Sequence, residues 1–191
     1  TRLVGGVTGQ GSFKLNPATG VVDKAYEPVI KANRKVCGDP TATGADTYSG
    51  SNPLDFAWDD ANKRLVECDG GLFDAVRSFN PRTGGIYWGK RLDGDAQTCT
   101  TVGKYTFVGF HRSSSNVNRF TYDYGNMGLI IGSKTGIQKV WQPSPDFTGG
   151  GANRDGRNNG IIASVVADNK LFVGGAFTAP KSKLAAFQIT E

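Results

Sequence analysis

Asn16-Pro17-Ala18-Thr19-Gly20 returns as Asn80-Pro81-Arg82-Thr83-Gly84 and, in degraded form, as Gly132-Ser133-Lys134-Thr135-Gly136. Gln188-Ile189-Thr190-Glu191 stands where a fourth copy would open. Proline presets one backbone angle and glycine takes a left-handed conformation at no steric cost, so each copy reads as a tight turn. A β-branched or aromatic run follows each one: Val21-Val22, Ile86-Tyr87-Trp88 and Ile137-Gln138-Lys139-Val140-Trp141. Such runs suit an outer strand, and Pro28 and Pro143 end two of them.

A second marker keeps phase with the first. Arg2-Leu3-Val4-Gly5-Gly6, Arg64-Leu65-Val66-Glu67-Cys68, Tyr105-Thr106-Phe107-Val108-Gly109 and Leu171-Phe172-Val173-Gly174-Gly175 occupy an equivalent strand. Three of them follow a turn, Asp60-Ala61-Asn62-Lys63, Val102-Gly103-Lys104 or Asp168-Asn169-Lys170. Asn or Gly in these turns is expected to supply the positive φ that short hairpin loops demand. Gly5-Gly6 and Gly174-Gly175 are expected to admit a close approach between sheets or a bulge.

Composition agrees with a turn-rich β protein. Glycine supplies 27 of 191 residues, about twice its usual share of roughly 7%. Apolar positions do not recur at helical spacing over any long window free of Gly or Pro, so almost no helix is expected. No apolar run approaches the roughly 20 residues of a membrane span. Aromatic content of 10% is too high for a disordered chain.

Four strands per unit of about 40 to 60 residues, repeated without helices, is the pattern of β-propeller blades. The expected fold is therefore all-β, a β-propeller built from four-stranded antiparallel blades, with about three and a half blades over residues 1–191. Unit boundaries fall at about 1–28, 29–92, 93–143 and 144–191. The first unit is expected to lack its innermost strand and the last its outermost. The chain then reads as an excerpt of a longer propeller, or as one whose open edges pair with another chain.

Leu171-Phe172-Val173-Gly174-Gly175-Ala176-Phe177-Thr178, Lys183-Leu184-Ala185-Ala186-Phe187 and Phe79-Asn80-Pro81-Arg82-Thr83-Gly84 resemble the delta-60 type repeat propellers. These occur in bacterial exported and surface proteins and in tail proteins of actinobacterial phages. The resemblance implies an extracellular, cell-surface or virion setting, and its motifs are scaffold motifs without an active site. Function is then to be sought in the insertions that interrupt the period.

Chemical motifs are sparse. The net charge of +5 predicts weak attraction to anionic surfaces. Lys31, Arg34, Lys35, Lys90 and Arg91 are too dispersed to neutralise a row of phosphates, so no specific nucleic-acid partner is expected. His111, the single histidine, sits in the polar run His111-Arg112-Ser113-Ser114-Ser115 without a converging triad. Cys37, Cys68 and Cys99 lack the paired spacing of a zinc site. They allow one disulfide, with Cys37 in its polar loop the favoured partner, or three buried free thiols.

Gly84-Gly85-Ile86-Tyr87-Trp88-Gly89-Lys90 has phosphate-loop spacing, yet Arg91 replaces the hydroxyl residue and the stretch reads as strand. Tyr105 to Phe110 shares aromatic positions with an RNA-binding sheet, but the repeat places Phe107 and Val108 in a blade core. Residues 149–160 contain a calcium-loop fragment without its first and last acidic ligands. Neither a metal nor a cofactor is implied. Asp59-Asp60 and Asp93 with Asp95 read as turn residues, not as the spaced carboxylates of a glycosidase.

The long polar connections, Val29 to Asn52, Arg112 to Asn126 and Gly149 to Gly160, are left as the candidate recognition surface. Arg154, Arg157, Asn158 and Asn159 are its expected contacts, with Tyr122 and Tyr124 offering flat faces to a sugar ring or peptide. The sequence thus points to a non-enzymatic interaction or adhesion module that binds a protein or glycan. The competing readings are a glycan-active propeller enzyme and a structural subunit that assembles through its open edge strands.

Overall fold

A computed structural model describes residues 2–4, 7–9, 14–23, 51–71, 75–91, 95–110, 127–133, 136–141, 160–177 and 183–190. Among these every regular element is a β-strand, and every strand pair is antiparallel. With no helix among them, none is long and apolar enough to cross a membrane.

The first unit contributes β1 (Arg2–Val4) and β2 (Val7–Gly9), which pair with each other. A four-stranded meander follows: β3 (Ser51–Asp59), β4 (Arg64–Gly71), β5 (Ala75–Phe79) and β6 (Ile86–Arg91). The next has the same order: β7 (Ala96–Val102), β8 (Tyr105–Phe110), β9 (Met127–Ser133) and β10 (Gly136–Trp141). The last sheet has three strands, β11 (Ile161–Ala167), β12 (Lys170–Gly175) and β13 (Leu184–Gln188). The sheets stack through their leading strands, β7 lying against β3 and β4, and β11 against β7 and β8.

The repeated turn is the same structure twice, nearly atom for atom. Asn16 Oδ1 accepts from the amides of Ala18 and Thr19, as Asn80 Oδ1 does from Arg82 and Thr83. The Gly20 amide donates to Asn16 O and the Gly84 amide to Asn80 O, both at 2.8 Å. Both glycines are left-handed, at φ 68° and 72°. The side-chain acceptor replaces a backbone partner for two turn amides, which is why asparagine opens the motif. Asn80→Ala is expected to cost about 1 kcal/mol in urea denaturation, the net worth of such bonds, while Asn80→Asp keeps the acceptor and loses less.

The hairpins between first and second strands correct one detail of the sequence reading. Asn169, at φ 56°, and Gly103, at φ 53°, carry the positive φ as expected, with Asp168 also positive at φ 48°, but in the first turn Lys63 does so, at φ 50°. Asn62 instead binds the preceding carboxylate, its amide 3.0 Å from Asp59 Oδ1 and its side chain 2.9 Å from Asp59 Oδ2.

Each leading strand carries a bulge at the same place. Register shifts occur at Pro53/Asp55, Ala96/Thr98 and Ile161/Ala163, opposite Asp69/Cys68, Phe110/Gly109 and Gly175/Gly174. Cys68 and Asp69, not Glu67 and Cys68, therefore stand where the other sheets have Gly109-Phe110 and Gly174-Gly175. Gly175 serves the bulge itself, since a Cβ there would lie 2.9 Å from Ile161 Cα. Gly109 serves the seam between sheets, since a Cβ there would lie 2.8 Å from Ile161 Cβ and 2.9 Å from Thr98 Cγ2.

Among the described residues the core accordingly falls into two seams. Between the second and third sheets lie Val66, Cys68, Val76, Trp88, Ala96, Cys99 and Val108. Between the third and fourth lie Phe107, Ile161, Leu171, Val173, Phe177 and Ala185. Sizes are exchanged between them, because Cys68 meets a seam with small Ala96 where Gly109 meets one with large Ile161.

Candidate interaction surface

Alternation along β3 is inverted relative to an ordinary half-buried strand. Leu54, Phe56 and Trp58 face outward and are 41%, 45% and 48% exposed, whereas Asp59 is buried. The acids point the other way because they have partners in the next sheet or in the hairpin. Asp55 Oδ2 accepts from Thr98 Oγ1 at 2.9 Å and from the Cys99 amide at 3.0 Å. Asp59 pairs with Arg64, whose guanidinium lies 5.3 Å from the centre of the Trp88 ring.

A ladder of side-chain hydrogen bonds continues across the leading strands. Ser164 Oγ lies 3.0 Å from Thr98 Oγ1 and 2.7 Å from Thr100 Oγ1, and Thr101 Oγ1 donates to Trp58 O at 2.7 Å. These contacts tie β3, β7 and β11 in series and fix which faces are left over. Among the described residues of these three sheets, one is the outer face of β3. The other is the far face of the last sheet, where Ile162, Val165 and Leu184 are more than half exposed.

Beside the β3 stripe lies a buried charge cluster. Arg77 is paired in register with Glu67, which is in turn paired with Phe56. Arg77 Nη2 donates to Glu67 Oε1 and, at 2.5 Å, to Asp69 Oδ2, with all three side chains at most 4% exposed. At the strand's end Asp60 is exposed, and hydrogen bonds from Lys63 and Trp58 hold its carboxyl below the usual range.

The contacts expected from sequence, Arg154, Arg157, Asn158, Asn159, Tyr122 and Tyr124, lie outside the described residues, as do His111, Cys37 and Asp93. Asp60 is a turn residue paired with Lys63, whereas Asp59, expected in the turn as well, is the buried last residue of β3 and pairs with Arg64. Residues 86–91 form strand β6, and Phe107 and Val108 are buried in β8. The sequence reading missed the Leu54-Phe56-Trp58 stripe, although its period of two is plain in Leu54-Asp55-Phe56-Ala57-Trp58-Asp59. Alternation marks a strand but does not say which face is covered.

No protein-family model and no curated protein matches the chain. Among solved structures, Sqt1 of Saccharomyces cerevisiae aligns at a TM-score of 0.45 and 11% identity, over 81% of this chain and 34% of that one. BamB of Moraxella catarrhalis aligns at 0.35 and 11%, over 72% and 47%. The computationally designed protein Ika4 aligns at 0.32 and 7%, over 73% and 92%. The chain therefore spans about a third of the length of Sqt1 and under half that of BamB.

Proposed function

We propose that the chain is a β-propeller segment of stacked blades, with the unit boundaries given by its repeats, and that it works as a non-enzymatic protein-interaction module. An extracellular, cell-surface or virion setting is what its likeness to the delta-60 type repeats implies. The observation that carries the interaction reading is the exposed apolar stripe Leu54, Phe56 and Trp58 on the leading strand β3. Burial of one such side chain contributes about 1.5–3 kcal/mol, so three on one strand face form a seat for a partner.

The occupant that fits the stacking order is a second copy of this chain. β7 covers the inner side of β3 and β11 covers β7, so the outer side of β3 faces the preceding position of the series, and the stripe there stays exposed although β1 and β2 belong to the preceding unit. A second copy offers another exposed apolar face, the far face of its β11 with Ile162 and Val165. Such contact is head-to-tail, with different patches meeting. Sedimentation velocity over a range of concentrations tests this. The wild-type chain is expected to associate, and Trp58→Lys to weaken association tenfold or more, the equivalent of about 1.4 kcal/mol, with an unchanged far-UV spectrum. A chain that stays monomeric at high concentration, or a Trp58→Lys chain that associates as well as wild type, would overturn the reading.

A further inference from the structure

Cys68 and Cys99 belong to different sheets and meet in the seam between them. Both are free thiols, 0% and 4% exposed, in one apolar cluster. Cys68 is the cross-strand partner of Asp55. Cys99 closes on the same residue, its Sγ 3.7 Å from Asp55 O and 3.9 Å from Val66 O. In the next seam the corresponding positions hold Gly109 and Ser164, which cannot be joined. Burial pushes the Cys68 thiol well above its ordinary range, followed by its hydrogen bond with Cys99 and the charges of Asp55 and Glu67. The reduced Cys68 is therefore protonated and inert near neutral pH.

We propose that Cys68 and Cys99 are a site of covalent modification, an intramolecular disulfide that cross-links the β3–β6 sheet to the β7–β10 sheet. Two S–H bonds break and one S–S bond forms. The two electrons and two protons pass to a disulfide oxidant, such as glutathione disulfide or an oxidoreductase disulfide, which leaves as two thiols. One cysteine attacks the oxidant to give a mixed disulfide, and the other displaces it. Because both sulfurs are shielded in the packed seam, the exchange takes place during folding or local opening. The bond departs from the Cys37 pairing favoured on sequence grounds, and it makes Cys37 the odd thiol.

Trypsin would place the two cysteines in separate peptides, Leu65–Arg77 and Leu92–Lys104, so the bond can be read directly. The Cys37→Ser chain is refolded in a glutathione redox buffer, alkylated with iodoacetamide in denaturant and digested. The expected product is a linked pair of these peptides from monomeric protein, with Tm raised by about 5–15 °C over the reduced form and restored by dithiothreitol. Cys37→Ser/Cys99→Ser, which changes one further atom, is expected to show no oxidant-dependent shift. Recovery of both peptides fully alkylated from the refolded chain, or a link found only between two chains, would overturn the proposal.

Discussion

Arg77→Met is expected to destabilise the chain by about 3–5 kcal/mol, the loss typical when one partner leaves a buried charge network. Arg77 meets Glu67 and Asp69 together, and the three side chains are withdrawn from water on one face of the second sheet. Methionine keeps most of the stem's length, so little of the loss comes from an empty volume. The loss arises because two carboxylates stay in the buried face without the guanidinium that compensates them. Glu67→Gln is the informative contrast. It removes one charge but leaves Arg77 bound to Asp69, and should cost less than half as much. Guanidinium denaturation monitored by tryptophan fluorescence measures both, and a loss under about 1 kcal/mol for Arg77→Met would contradict the burial of the network.

Gly109→Val is the second large effect, with a loss near the upper end of the roughly 1–3 kcal/mol typical of overpacking. Gly109 has no left-handed backbone angle, so its requirement for glycine is steric. The added atoms would enter the space of Ile161, on the facing sheet, and Thr98. Ile161 is fully buried and branched at Cβ, so it cannot swing aside as a long flexible chain would. Ile161→Ala alone should cost about 2–5 kcal/mol as a cavity. Combining it with Gly109→Ala should cost less than the sum of the two singles by about 1 kcal/mol, within the range of coupling between residues in contact. Additive losses in that double-mutant cycle would mean that the two residues do not share the seam.

What the sequence displayed, and what it hid, follows from the range of each interaction. The Asn80 turn closes its hydrogen bonds within six residues, so the five-letter motif contains all its determinants. The strand markers were equally legible, because Leu171-Phe172-Val173 and its counterparts need only period and turn chemistry to be recognised. The register of the second unit slipped by one because the Asp59–Arg64 hairpin loop is longer than those at Val102–Tyr105 and Ala167–Lys170. Glu67 and Asp69 look like solvent-facing residues in Leu65-Val66-Glu67-Cys68-Asp69, and only the cross-strand position of Arg77 reveals their burial. The outward turn of Phe56 and Trp58 was hidden for the same reason, since it depends on Thr98 and the Cys99 amide claiming Asp55 from a sheet some 40 residues away.

The exchange of sizes between the two seams bears on how a chain of near-copies avoids assembling out of order. Units that resemble one another compete for the same neighbours, and skipped or permuted docking is the characteristic error of repeat architectures. Here the β7–β10 sheet presents Ala96 to its predecessor and Gly109 to its successor, so it fits only between a unit carrying Cys68 and one carrying Ile161. If the last sheet docked directly on the second, it would drive Ile161 against Cys68, and that collision rejects the shortcut. The divergence of the repeats thus acts as proofreading, in which each mismatch in volume excludes a wrong neighbour as well as accommodating the right one.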